Sequence, residues 1–431
     1  MTELFNANLN IISQRWPIIA SALQHASFDH LDAALVTGQT QTISVNGIQL
    51  SSRHDRMAEA RLFIEQLPSG CKHVAVYGIG MGDVPSLLID NPQLQQILIC
   101  PLNIALFALL LSYTDQSEWL NDKRVVLVHQ LEQNKLATHY IAITPDLLLV
   151  DDENAKLRDL LVLENNRAYA NKHHTIDNPE IQQRLLENLS AIEQDPDAAT
   201  LKMTHHQSHA HLIGAGPTLE THYSYLLRQR ALPIGQRPLM IAVDTSLKAL
   251  TENKIIPDIV VSIDSKITLE HFPENIPEDI TLVYFPTLSK EVISNWLGPK
   301  FNAYSTSPIY DQLAKHHQKI RLFTNGSVIH PAIDLAVTLG IKEITLFGCD
   351  FCYPNNKTHA HWEDGMLGPS TQLQKKHWVL NGHGKRVATD LNFRAYLRSL
   401  EHYIRIHPKV KFYQSSLEGA RIIGAQYKEL V

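Results

Sequence analysis

Five apolar runs in the carboxy-terminal half of the chain each end in a polar or glycine-containing group, and they constrain the fold more than any other feature. They are Ala210 to Ile213 before Gly214, Leu239 to Val243 before Asp244, Ile259 to Ile263 before Asp264, Ile320 to Phe323 before Thr324-Asn325-Gly326-Ser327, and Ile344 to Phe347 before Gly348-Cys349-Asp350. Short apolar runs that alternate with helical patterns predict an open sheet of parallel strands, with ligands bound beyond the carboxyl ends of those strands. One sheet edge then carries a glycine turn, the carboxylates Asp244, Asp264 and Asp350, and an Asn/Ser pair, and this edge is the candidate active site.

The preceding segment reads as a second α/β unit. Strands are predicted at Val74 to Tyr77, Ile97 to Ile99, Val125 to Val128 and Leu147 to Val150, and a polar helical stretch from Asn154 closes at Glu193 to Asp197. The expected organisation is a helical and hairpin lead-in over 1–60, a Rossmann-like domain over 61–197 acting as scaffold or interaction surface, and a catalytic α/β domain over 198–431. That last domain ends in a helical tail, Leu391 to His407, and a short strand, Val410 to Tyr413.

Composition narrows the function. The net charge of -6 argues against a protein whose affinity comes from neutralising nucleic-acid phosphates or anionic lipid. The longest apolar stretch, Ile97 to Leu111, has 15 residues and contains Pro101 and Asn103, short of the roughly 20 needed to span a bilayer. An acidic start, Met1-Thr2-Glu3-Leu4, does not resemble an export signal, and only four cysteines are present, so a cytoplasmic location is expected.

The motifs each admit a plain alternative. Gly78-Ile79-Gly80-Met81-Gly82 follows a strand as a nucleotide-binding turn does, but the next strand is followed by Cys100, Pro101, Leu102 and Asn103, without the carboxylate that holds ribose hydroxyls. Gly214-Ala215-Gly216-Pro217-Thr218 before the predicted helix Leu219 to Arg230 either opens a phosphate site or makes a tight connection. Asn325-Gly326-Ser327 suits a nucleobase edge or phosphate, or caps the predicted helix Pro331 to Leu339. Asp244 and Asp264 hold sugar hydroxyls or a metal, or cap helices, and form no Asp-x-Asp pair. His359-Ala360-His361-Trp362-Glu363-Asp364 lacks a recognisable metal spacing, and His359 is better explained as a general base. His205, His206, His209 and His211 read as solvated or packed side chains, and Lys385 and Arg386 as a solvated basic turn or as leaving-group stabilisers.

Taken in order, Leu212 to Leu219, Ala242 to Leu250, Ile256 to Asp264, Asn325 to Val328, Leu346 to Asp350 with Lys357 to Ala360, and Tyr413 to Ile422 resemble the motility-associated factor (Maf) flagellin glycosyltransferases. The resemblance covers most of Ala210 to Tyr427, and Cys349 stands where that pattern often has Gln. It implies an α/β architecture with a Rossmann-like domain before a sialyltransferase-like core. The implied activity is transfer, with inversion, of a nonulosonic acid such as pseudaminic or legionaminic acid from its CMP-activated form to Ser or Thr of flagellin, in support of flagellum assembly and motility. By that resemblance Gly214, Gly216, Pro217 and Thr218 line the nucleotide phosphate. Asn325, Gly326 and Ser327 hold the cytidine end, Asp244 with Thr245 and Asp264 organise ribose or sugar hydroxyls, and His359, Asp264 and Asp350 form the catalytic set. No tightly bound cofactor, divalent metal, nucleic-acid partner or membrane insertion is expected. Two other functions fit the same core: a pyrophosphoryl transferase like archaeal 6-hydroxymethyl-7,8-dihydropterin diphosphokinases, using ATP and Mg²⁺ with Asp244, Asp264 and Asp350 as metal-binding carboxylates, and a noncatalytic flagellin-binding accessory protein.

Overall fold

The computed structural model describes residues 2–129, 136–170, 178–202, 208–360 and 377–430. The chain divides into two compact units, Met1–Asn165 and Asn166–Val431, so the boundary falls inside the polar helical stretch instead of at residue 197.

The lead-in packs into the same core as the sheet that follows it. Helices Glu3–Arg15 and Pro17–His25 form because Thr2 caps the first, accepting from the Phe5 amide at 3.1 Å, and Pro17 starts the second at a position where its missing N–H costs nothing. They bury Phe5, Leu9, Ile12, Ile19 and Leu23 with the sheet residues Val74, Val76, Ile97 and Ile99 in one cluster. Asn8 is buried among them and bridges three backbone groups, donating to the Leu111 and Thr114 carbonyls, both at 2.9 Å, and accepting from the Gln116 amide at 3.1 Å.

Three antiparallel strands follow, β1 (Ala33–Thr37), β2 (Gln41–Val45) and β3 (Ile48–Gln49), and the β2–β3 turn is Asn46-Gly47 with φ of 52° and 79°. The parallel sheet contains β4 (His73–Tyr77), β5 (Gln96–Cys100), β6 (Val125–Leu127) and β7 (Tyr140–Ala142) in the order β6-β5-β4-β7. The expected strand at Leu147 to Val150 is absent: Thr144–Leu148 is helical, with Pro145 in its first turn, and Leu148 is exposed. A run of leucines has no β-branching to favour a strand, and a four-residue apolar run carries no period that separates helix from strand.

The second unit is built on eight parallel strands: β8 (His209–Ile213), β9 (Leu239–Val243), β10 (Ile259–Ser262), β11 (Thr281–Tyr284), β12 (Lys300–Asn302), and, further along, β15 (Glu343–Phe347), β18 (Lys411–Gln414) and β19 (Gln426–Tyr427). Their order is β12-β11-β10-β9-β8-β15-β18-β19. Sequential winding runs from β8 toward β12, whereas β15 lies on the other side of β8, so the topology reverses there. One expectation changes. The run Ile320 to Phe323 does not join this sheet; β14 (Arg321–Leu322) pairs only with β13 (Tyr304–Ser305) in a two-stranded ladder. The expected carboxy-terminal helical tail is present and packs into the main core, where β18 pairs β15 and the helix Leu391–Ile406 buries Leu397, Leu400, Tyr403 and Ile404. The ladder of β16 (Trp378–Leu380) and β17 (Arg386–Ala388) completes the strands. No described helix is long and apolar enough to cross a membrane.

Replacing Asn8 by Ala removes the partner of three backbone groups, two of them buried, and urea unfolding of the full chain is expected to show a loss of about 2–4 kcal/mol.

Candidate functional site

At the reversal between β8 and β15 two turns cross at close range. The Gly214 amide donates to the Phe347 carbonyl and the Gly216 amide to the Gly348 carbonyl, both at 2.8 Å. Gly348 has φ of 58°, and a Cβ on it would lie 2.7 Å from the Gly214 carbonyl oxygen. A side chain on Gly216 would lie 2.5 Å from an Asp350 carboxylate oxygen. The glycines are therefore required for turn to pack on turn.

Asp350 holds this crossing together. Its carboxylate accepts from the Thr218 amide at 2.9 Å and from the Thr218 hydroxyl at 2.5 Å, and its own carbonyl accepts from the Ala420 amide at 2.8 Å. It is 5% exposed, and burial pushes its pKa up to about 6 against the lowering effect of the two Thr218 bonds. The cavity lined by Thr218, Cys349, Asp350, Ser415 and Gly419 measures ≈ 10 Å³, room for no more than one water. Residues 217–222 form a 3₁₀-helix before the α-helix Tyr223–Arg230, where one helix from Leu219 was expected. The amides of Gly214, Gly216 and Thr218, and both oxygens of Asp350, are thus committed within the protein, so this group forms a rigid floor instead of an open phosphate cradle. Cys349 and Cys352 flank Asp350; burial raises both thiols, which are neutral at neutral pH.

His359 is carried to this floor by its neighbours. The Ala360 amide donates to the Ala215 carbonyl at 2.9 Å, and the Lys357 ammonium meets the Glu220 carboxylate at 2.8 Å. The imidazole Nδ1 lies 3.0 Å from the Thr358 hydroxyl, and burial pushes its pKa down to about 4, which keeps it neutral above that pH and able to accept a proton. His361, Trp362, Glu363 and Asp364 of the same motif lie outside the described residues, as do His205 and His206. His209 pairs with Glu343 at 2.7 Å, and His211 is buried against Phe347, its pKa lowered to about 3 by burial.

A second group occupies the carboxyl ends of β9 and β10. Asp244 is buried, accepting from the Ser262 hydroxyl and from the Thr245 amide, each at 2.7 Å. Burial raises its pKa to about 6, with the negative charge of Asp264 acting in the same direction. Asp264 is exposed and accepts from the Lys266 amide at 2.9 Å. Opposite them, Asn325 donates through Nδ2 to the Ser399 hydroxyl, and its amide donates to His330 Nδ1 at 3.2 Å. Gly326 takes a φ of 85°, and the Tyr396 ring packs so closely that a Cβ at 326 would lie 2.6 Å from it. Burial, Asp390 and Asp264 all raise the Tyr396 pKa, which places that phenol within the field of Asp264. Ser327 opens the helix Ile329–Thr338, its carbonyl accepting from the His330 amide at 3.2 Å.

The structure therefore brings Gly214, Gly216, Pro217, Thr218, Asp350 and His359 into one group and sets Asp244, Thr245 and Asp264 at the carboxyl ends of β9 and β10, whereas Asn325, Gly326 and Ser327 follow β14 of the separate ladder and approach Asp264 through Tyr396. Sequence reasoning missed Tyr396 and Ser399, which reach Gly326 and Asn325 from the helix Leu391–Ile406. Their helical periodicity was visible, but not that this helix faces the edge. Arg386 stacks over Trp378 at 3.9 Å in the β16–β17 hairpin. Among the described residues no three His, Cys, Asp or Glu side chains come together as a metal site would require.

Thr218→Val and Asp350→Ala are each expected to cost about 2–4 kcal/mol in urea unfolding, and the double variant is expected to cost clearly less than the two together because they break one interaction.

Residues 183–356 match the family model described as 6-hydroxymethylpterin diphosphokinase MptE-like, a stretch that holds β8 to β15 and both glycine turns. No curated protein matches the chain. Among solved structures, the Maf glycosyltransferase from Magnetospirillum magneticum AMB-1 is similar to 99% of this chain and 74% of its own, at 14% identity and a TM-score of 0.45. The chain is thus similar to MptE-like proteins over residues 183–356, within its second α/β unit.

Proposed function

We propose that the chain is a glycosyltransferase that moves a nonulosonic acid of the pseudaminic or legionaminic type from its CMP-activated donor to Ser or Thr of flagellin. The observation that carries this proposal is convergence. The blocks that resemble Maf flagellin glycosyltransferases and that end β8, β9, β10 and β15 meet along one carboxyl edge, where a neutral imidazole, His359, is held beside the glycine turn.

In this mechanism the acceptor hydroxyl gives its proton to His359 as its oxygen attacks the anomeric carbon. The bond from that carbon to the CMP phosphate oxygen breaks, CMP leaves with the electron pair, and the configuration inverts. The leaving group already carries phosphate charge, so the step calls for neither a resident cofactor nor a divalent metal. Asp350 acts here as a positioning residue that stiffens the turn, because both of its oxygens are taken by Thr218. Donor binding falls to the accessible members of the second group: the exposed Asn325 and half-buried Ser327 at the cytidine end, the exposed Asp264 at the sugar hydroxyls, and the half-buried Tyr396 as a ring beside Gly326.

Pyrophosphoryl transfer is the second function, favoured by the name of the family model matched over 183–356. It asks Asp244, Asp264 and Asp350 to share a metal ion, yet Asp350 is engaged by Thr218 and Asp244 by Ser262 and Thr245. Calorimetric titration with CMP, and separately with ATP and Mg²⁺, distinguishes the two. CMP is expected to bind, and Ser327→Ala to weaken it by about tenfold, the worth of one hydrogen bond. Preference for ATP with Mg²⁺ moves the assignment to pyrophosphoryl transfer, and binding of neither by folded protein moves it to the accessory role.

His359→Ala is expected to lower the transfer rate on flagellin by about 10²–10⁴-fold with CMP affinity unchanged. The base works deprotonated, so with its pKa near 4 the His359 imidazole is expected to keep its neutral-form NMR signals from pH 8 down to pH 5.5. A titration of those signals centred near pH 6.5 would show an ordinary histidine in the role.

A further inference from the structure

We infer that the glycine turn of the amino-terminal unit is an oxyanion nest filled by the chain's own Asp146, so that this unit takes no nucleotide phosphate as folded. The turn follows β4, where the winding of the smaller sheet reverses: β5 lies on one side of β4 and β7 on the other. A dinucleotide-binding sheet places its ligand at that crevice, with consecutive backbone amides aimed at phosphate oxygens.

Here those amides already hold an anion. The Ile79 amide donates to one oxygen of Asp146 at 2.8 Å and the Gly80 amide to the other at 2.9 Å, and Asp146 is 3% exposed. The carboxylate arrives from the short helix Thr144–Leu148 that follows β7, directly across the crevice. Gly78, at φ of 93°, makes room for it, since a Cβ there would lie 2.5 Å from the Asp146 Cβ. The rest of the crevice is closed as well. The Gln116 side chain packs on Gly82, where a Cβ would lie 2.0 Å from its Oε1, and donates to the Met81 carbonyl at 3.3 Å. Arg56 spans the mouth, binding Asp83 at 3.0 Å and 2.5 Å and the Gln41 carbonyl at 3.1 Å. The remaining cavity measures ≈ 20 Å³, room for about one water. Residues 100–103, lacking a carboxylate for ribose, are what a turn of this kind carries when no nucleotide is bound there.

The test is thermal melting of the full chain as wild type, Asp146→Ala and Asp146→Asn, with and without tens of millimolar inorganic phosphate. Hydrogen exchange is read at residues 78–83. Asp146→Ala is expected to melt about 4–8 °C lower. Phosphate should restore part of that loss and slow exchange at 78–83 in this variant alone, while any phosphate effect elsewhere in the chain is common to wild type and variant and cancels in the comparison. Protection of 78–83 in the wild type by phosphate, ATP or CMP overturns the inference, and so does an Asp146→Ala variant that melts like the wild type. Should the Ala variant not fold, Asp146→Asn keeps one acceptor oxygen. It is expected to speed exchange of the Ile79 and Gly80 amides at least tenfold, and unchanged exchange there overturns the inference equally.

Discussion

A buried carboxylate that accepts from the backbone of a glycine turn is the interaction on which the rest of this protein depends, and the fold uses it twice. Asp350 takes the amide and hydroxyl of Thr218 at the crossing of β8 and β15, and Asp146 takes the amides of Ile79 and Gly80 beside β4. In each unit the acid follows the strand on the far side of the topological reversal. Open α/β sheets leave their amides unsatisfied at that point, and an internal anion supplies there what a bound phosphate supplies elsewhere. Both acids are buried and titrate near 6, raised by desolvation and restrained by the hydrogen bonds they accept. Because their folded pKa values lie above the ordinary carboxylate value, each stabilises the fold most at low pH, and that contribution declines as pH rises from about 4 to about 6.

This device redistributes the chemistry of the second unit. The glycine turn becomes a floor against which the segment 357–360 is anchored through Ala215 and Glu220, and it sets the position of His359. Groups with free access are displaced toward β9 and β10, where the exposed Asp264 and Asn325 lie with Tyr396 and the buried Asp244. The division of labour is physical. Buried acids with both oxygens engaged give rigidity, and exposed polar groups at the same edge remain for a ligand.

Much of this was legible in the chain itself. The runs at β8, β9, β10 and β15 are mostly apolar and buried along nearly their whole length because both faces of a parallel sheet are covered, and each leads into the polar group read from its sequence. Misreadings fell where a run was short. Leu147 to Val150 became the end of a helix and the two residues beyond it, and Ile320 to Phe323 entered a separate ladder, because four apolar residues carry neither a period nor the identity of a partner strand. The strands β11 and β12 went unread for the same reason. Tyr396 was visible as a helical residue, but no local signal says that a side chain 70 residues after Gly326 will press on that turn.

By itself the sequence determined the alternation of strand and helix, the polar groups at strand ends and the glycine turns, because these follow from local periodicity and backbone stereochemistry. The tertiary structure alone decided how those groups are spent. A carboxylate's role depends on which donors lie within 3 Å of it and on how much water reaches it, and for Asp350 and Asp146 the donors come from residues 132 and about 66 positions away. Only closure of the sheet across its point of reversal brings them together.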